Sequence, residues 1–202
     1  METMDHEHLA VTHSWSLILL TGGRGSRLGT DKSNVVVGTR TTAQRILDEL
    51  PAEVPVTVVG AIPDRLNRDV TVTRETPVGG GPAAGVAAGL VFTHTEFVAV
   101  LATDMPFAAP VLVELFAALD AEVDGVLALD SSGRHQYLCA IYRTSALRAA
   151  LAGDTNNVAM HSVLAGLNFR TVSMDERVWD IDTPEDLERA RDRAGVPEMK
   201  EN

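Results

Sequence analysis

Gly22, Gly23, Gly25 and Gly29 put four glycines into eight residues, directly after the apolar run 15–20. With side chains removed, backbone N–H groups there can close on a phosphate. Arg24, Arg27 and Lys32 add three cations within nine residues, against the single acid Asp31. They form a local positive patch on a chain whose formal net charge is −11. Single positions exclude two familiar phosphate motifs. A dinucleotide fingerprint needs a third glycine where Leu28 stands, and a P-loop needs Gly before Lys32-Ser33, where Asp31 stands. A nucleotide-phosphate loop of another kind is what these residues suit.

Three further groups carry chemistry. Gly79-Gly80-Gly81-Pro82 runs into a stretch of small residues. Pro82 suits a first helical turn, and the glycines leave donors for an anion or a base edge. Asp104, in Thr103-Asp104-Met105-Pro106-Phe107, follows the apolar run 97–101. Ligands of α/β sheets bind beyond the carboxyl ends of strands, and Mg²⁺ takes carboxylates together with substrate phosphates. In Asp180-Ile181-Asp182, alternation sends both carboxylates one way. The helix start that follows needs only Thr183 as cap, Pro184 at the first position and Asp186 to close a capping box. At least one of the two aspartates is therefore expected to hold a ligand or metal.

The elements that must position these residues alternate along the chain. Runs at 15–20, 54–59, 97–101, 125–129 and 137–142 are short and rich in Val, Ile or Leu, as strands buried on both faces are. Helical apolar spacing is present at 42–50, 82–92, 110–119 and 145–151, with two more helices expected near 158–164 and 184–194. The class predicted is α/β: a single-domain, three-layer α/β/α sandwich with a mostly parallel sheet over 14–195. Residues 1–13 and 196–202 read as loose tails. The first is polar and acidic with no basic n-region, unlike a signal peptide.

Composition narrows the function further. The chain has 202 residues, 45% of them hydrophobic, which suits one domain with a sizeable core. Its acidity opposes nucleic acid and anionic lipid, and no apolar run approaches the ~20 residues of a membrane span. The single Cys139 excludes an internal disulfide and a cysteine-built metal site. Lying in an alternating apolar run, it reads as a buried packing residue in a cytoplasmic protein.

Together these motifs resemble the molybdenum cofactor guanylyltransferase family (MobA-like) within the larger group of Rossmann-like nucleotidyltransferases. The likeness runs from residue 17 to about residue 191. Leu20-Thr21-Gly22-Gly23 with Arg27, Gly29, Asp31 and Lys32 is similar to the signature of the larger group. Residues 103–107 resemble its metal-aspartate motif, and residues 79–85 its base-side loop. Residues 135–143 resemble its acceptor-side strand, which ends in a tyrosine, here Tyr142, before a helix.

The resemblance implies GTP and molybdopterin as substrates and Mg²⁺ as cofactor. It implies catalytic roles for Arg27, Lys32 and Asp104, with Leu20, Gly22, Gly23, Arg74, Gly79, Gly80 and Gly81 also around the nucleotide. Asp104 and Asp182 would hold the metal, and Tyr142, Asp180 and Asp182 would face the acceptor. An acceptor phosphate oxygen would attack the α-phosphorus in line, pyrophosphate leaving. The implied partners include enzymes that insert or use the molybdenum cofactor, met transiently, and neither nucleic acid nor membrane.

Thr21 stands where the family usually has alanine, Leu28 where it has methionine, and Asp180 and Asp182 where it has two asparagines. The aspartate pair resembles relatives that use CTP or other acceptors. A cytidylyltransferase, or another nucleotidyl transfer to a small phosphorylated acceptor, is thus the alternative. A non-catalytic nucleotide- or pterin-binding accessory protein is the second.

Overall fold

β-Branched and Leu-rich runs make the central strands of the computed structural model, which describes residues 15–21, 34–63 and 65–195. In chain order the strands are β1 (Trp15–Leu20), β2 (Val36–Val37), β3 (Arg40–Thr41), β4 (Val56–Val59), β5 (Thr71–Thr73), β6 (Phe97–Ala102), β7 (Gly125–Leu129), β8 (His135–Arg143) and β9 (Phe169–Ser173). The helices are α1 (Thr42–Glu49), α2 (Gly81–Leu90), α3 (Ala109–Ala117), α4 (Thr144–Ala150), α5 (Met160–Val163) and α6 (Pro184–Arg193).

Seven strands form one sheet in the order β5-β4-β1-β6-β8-β7-β9. β1 pairs in parallel with β4 and β6, β4 with β5, and β7 with β9; β8 alone runs against its neighbours β6 and β7. The mostly parallel sheet predicted from the apolar runs is thus present. β2 and β3 form a separate two-stranded ribbon.

Period-two alternation along β1 sorts the core into two layers. Leu17 and Leu19 face the cluster that holds Ile46 of α1 and Leu112 and Leu115 of α3. Ile18 and Leu20 face the other, with Val86 of α2, Leu147 of α4 and Met160 of α5. Helices therefore cover both faces, giving the three layers expected. Each fully buried Leu or Ile contributes roughly 1.5–3 kcal/mol. A third, smaller cluster of Val35, Val37, Phe107, Ile181 and Ala190 binds α6 to the rest. Among the described residues, no helix is long and apolar enough to cross a membrane.

Candidate active site

Two threonines fasten the strand ends from which the candidate residues emerge. The Thr21 amide donates to the Val59 carbonyl at 2.9 Å, and its hydroxyl reaches the carbonyls of Val59 at 3.1 Å and Ala61 at 2.6 Å. One strand over, the Thr103 amide and hydroxyl both meet the Leu20 carbonyl, at 3.1 and 3.2 Å. Both threonines are buried, so each hydroxyl must be bonded to avoid a desolvation cost of about 1–3 kcal/mol. Thr21, a departure from the family pattern, is thus a fastening between β1 and the loop after β4. Gly22, Gly23, Arg27 and Lys32, which follow it, lie outside the described residues.

The end of β6 delivers Asp104, and the chain just before α6 comes back to meet it. The Ile181 amide donates to the Asp104 carbonyl at 2.9 Å. Ile181 is buried in the small third cluster, and Asp180 and Asp182 on either side of it are half-buried, as is Asp104. One backbone hydrogen bond therefore joins the chain at Asp104 to the segment 180–182, more than seventy positions away in sequence.

The Asp180–Asp182 segment is fixed by the start of α6. Thr183 accepts from the Asp186 amide at 3.2 Å, while the Asp186 carboxylate accepts from the Thr183 amide at 2.9 Å and hydroxyl at 2.8 Å. The capping box read from the sequence is therefore formed. The same carboxylate also takes the Asp182 amide at 3.2 Å and the Trp179 indole N–H at 3.2 Å. Burial pushes the Asp186 carboxyl up, but hydrogen bonds from Thr183, Asp182 and Trp179 outweigh it and hold it below its ordinary value.

Carboxylate oxygens are hard ligands of the kind that Mg²⁺ takes. Among the described residues, no group of three or more His, Cys, Asp or Glu forms a cage. Mg²⁺ held by one or two carboxylates and substrate phosphates needs none.

The second glycine loop stands at the head of α2. Glu75 holds it through Oε1, which accepts from the Gly79 amide at 2.8 Å. Gly79 and Gly81 have φ of +83° and +86°, conformations that side-chain-bearing residues rarely take. α2 packs closely on β1: a Cβ on Gly85 would come 3.2 Å from Leu20 Cδ2. That places the helix head at the same sheet end as Leu20. Arg74, just past β5, is exposed. The turn at 154–158 carries no motif in sequence, yet the Asn157 amide donates to the Gly80 carbonyl at 2.6 Å.

Tyr142 does not join this cluster. Its side chain is fully buried, with its ring edge-on to Phe169 and its hydroxyl donating to the Tyr137 carbonyl at 2.7 Å. Burial, first of all, raises its pKa well above the ordinary value. A satisfied phenol inside the core presents no surface to an acceptor, so the contact expected of Tyr142 gives way to a packing role. Cys139 is buried as expected, and burial pushes its thiol up to about 12, which keeps it un-ionised.

A family model described as MobA-like NTP transferase domain matches residues 17–172. The molybdenum cofactor guanylyltransferase of Rhodobacter capsulatus is 33% identical over 187 residues, covering 87% of this chain and 94% of that protein. A protein of Natronomonas pharaonis named as a probable molybdenum cofactor guanylyltransferase is 30% identical over 196 residues, covering 87% and 96%. Among solved structures, molybdopterin-guanine dinucleotide biosynthesis protein A from Archaeoglobus fulgidus superposes with a TM-score of 0.66 at 22% identity, covering 89% of this chain and 98% of that one. The chain is a nucleotidyltransferase and belongs to the MobA-like NTP transferase domain family.

Proposed function

We propose that the protein transfers GMP from GTP to molybdopterin, with Mg²⁺ present and pyrophosphate released, to form molybdopterin guanine dinucleotide. The observation that carries this reading is the Ile181–Asp104 hydrogen bond, which sets Asp104, Asp180 and Asp182 at the sheet end where β1 enters the glycine-rich loop. The relatives' names supply the substrates.

Arg27 and Lys32 bind the triphosphate, Lys32 acting as a point charge. Leu20, Gly22 and Gly23 line its path, and Arg74 with Gly79, Gly80 and Gly81 receives the base side. Asp104 and Asp182 hold Mg²⁺, which neutralises phosphate charge when bound. Asp180 faces the acceptor. Nothing here acts as a covalent nucleophile. The residues position the acceptor oxygen in line with the α-phosphorus and offset the charge that develops. The enzyme works in the cytoplasm and hands its product to molybdenum cofactor insertion or target enzymes.

Pyrophosphate release measured with GTP, CTP, ATP and UTP, with and without molybdopterin, tests the proposal. Release dependent on both GTP and molybdopterin is expected. A second reading rests on Asp180 and Asp182, which repel an anionic acceptor that asparagines would welcome. It is nucleotidyl transfer from CTP, or to another small phosphorylated acceptor. Release with CTP, or with a phosphorylated acceptor in place of molybdopterin, would favour it. GTP binding without any release would point to an accessory protein instead.

A further inference from the structure

The turn between α4 and α5 supports the second glycine loop from outside. It starts as an Asx turn, with the Asn156 amide donating to Asp154 Oδ1 at 2.9 Å. Asn157 follows with φ of +55°, the one positive value at a non-glycine position among the described residues. Asparagine tolerates this left-handed conformation better than other side-chain-bearing residues. In this conformation the Asn157 amide meets the Gly80 carbonyl at 2.6 Å.

Gly80 is enclosed by the same turn. A Cβ there would stand 3.0 Å from Asn156 Oδ1 and 2.9 Å from Ala84 Cβ, and Gly81's would stand 3.9 Å from Asn157 Cα. At the far end of α2, Arg148 of α4 donates to the carbonyls of Leu90 at 2.8 Å and Thr93 at 2.5 Å. α4 and its following turn thus grip α2 at both ends. The head of α2 is the less protected one, because its cap position, Gly80, offers no side-chain hydrogen bond.

We propose that Asn157 is a positioning residue for the donor nucleotide: its left-handed backbone fixes the Gly80 carbonyl, and so the shape of the Gly79-Gly80-Gly81 loop. The inference rests on the reading of that loop as the base side of a triphosphate site. A left-handed requirement in an exposed turn, spent on one carbonyl of a glycine loop, has a clear consequence for ligand binding and little for the core. Strain of this kind persists where surrounding structure enforces it, and clusters at ligand sites.

The test uses the full chain with GTP and Mg²⁺. Asn157→Val, whose branched side chain resists positive φ, should raise the GTP Kd measured by calorimetry on the order of tenfold, the size a displaced binding element produces. The KM for GTP should rise in step, while kcat at saturating GTP and the acceptor KM stay near the parent's. Asn157→Gly, which restores the backbone without the side chain, should return Kd to within about twofold, and Asn157→Ala should fall between. Amide chemical shifts of Gly79, Gly80 and Gly81 should move in Asn157→Val and return in Asn157→Gly. A GTP Kd unchanged in Asn157→Val, or lost equally in Asn157→Gly, would overturn the inference and leave the triphosphate reading standing. No GTP binding by the parent would overturn both.

Discussion

Asp104 lies just past a buried strand, and its backbone is fixed there by a bond of its own. Its carbonyl takes the Ile181 amide at 2.9 Å, a bond that a side-chain substitution leaves in place. Asp104→Ala should therefore leave melting temperature close to the parent's while Mg²⁺-dependent turnover falls more than tenfold, as loss of a metal ligand worth several kcal/mol requires. Activity above about a tenth of the parent's would remove Asp104 from the metal site. Asp182 is the more delicate case, because its amide already serves the capping box through Asp186 at 3.2 Å. Asp182→Asn keeps that amide and changes only charge. A Mg²⁺ titration of turnover should shift to higher concentration, since an amide oxygen is a weaker ligand than a carboxylate. An unchanged Mg²⁺ curve with altered acceptor KM would make Asp182 an acceptor contact instead.

Elements decide which residues meet, and the hairpin joining β7 and β8 is the sharpest example. Asp130 collects the amides of Ser132 at 2.9 Å and Arg134 at 3.0 Å, the Ser132 hydroxyl at 2.6 Å and the Gln136 amide group at 2.8 Å. Burial pushes its carboxyl up, but these bonds outweigh that and bring it down to about 2. A depressed carboxyl stabilises the fold above its unfolded value, near 4, and loses that contribution as pH falls through about 2. Asp130→Ala should thus be less stable at pH 7 by on the order of 1 kcal/mol, allowing for solvent screening. Urea titrations should show the gap to the parent narrowing between pH 4 and pH 2; a gap constant with pH would show that charge contributes nothing. The same hairpin explains what was legible in the sequence. Apolar runs revealed β1, β4, β6, β7 and β8 because both their faces are buried, but a run carries no direction, so β8's reversal was hidden. β5 and β9 escaped because they are edge strands, largely exposed, with too little apolar content to show a period. The position of Asp104 just past β6 and the capping box were legible from strand end and helix start. The acceptor role of Tyr142 came from the resemblance alone, and in a strand with core on both faces nothing in the local pattern marks one side chain as reaching a ligand.

At the scale of the molecule, the site depends on how closely α2 lies on the sheet. Seven of the ten residues in its sequence, Gly-Pro-Ala-Ala-Gly-Val-Ala-Ala-Gly-Leu, are Gly or Ala, so the helix backbone lies close to β1 and β4. Two glycines set that distance, one toward each end. A Cβ on Gly89 would lie 2.8 Å from Ile18 Cγ2 and 3.0 Å from its Cγ1 and Cδ1. Ile18 is fully buried and β-branched, so its choice of rotamer is restricted. A Cβ on Gly85 would press on the tip of Leu20, 3.2 Å from Cδ2, with Val59 Cγ1 at an ordinary 3.8 Å. Replacing glycine by alanine inside a helix gains up to about 1 kcal/mol in propensity, whereas overpacking a core costs about 1–3 kcal/mol. The balance differs at the two ends. Gly89→Ala should be net destabilising by roughly 1–2 kcal/mol and lower Tm by about 2–8 °C, with GTP affinity little changed. Gly85→Ala should leave Tm close to the parent's, because the clash is with a flexible tip. Yet it pushes Leu20, the last residue before the glycine-rich loop, so the KM for GTP should rise. Thermal melts and GTP saturation curves on both variants check the pair. A Tm drop larger for Gly85→Ala than for Gly89→Ala would mean that the helix is seated on the sheet by its site end, and the division of labour along α2 would have to be reversed.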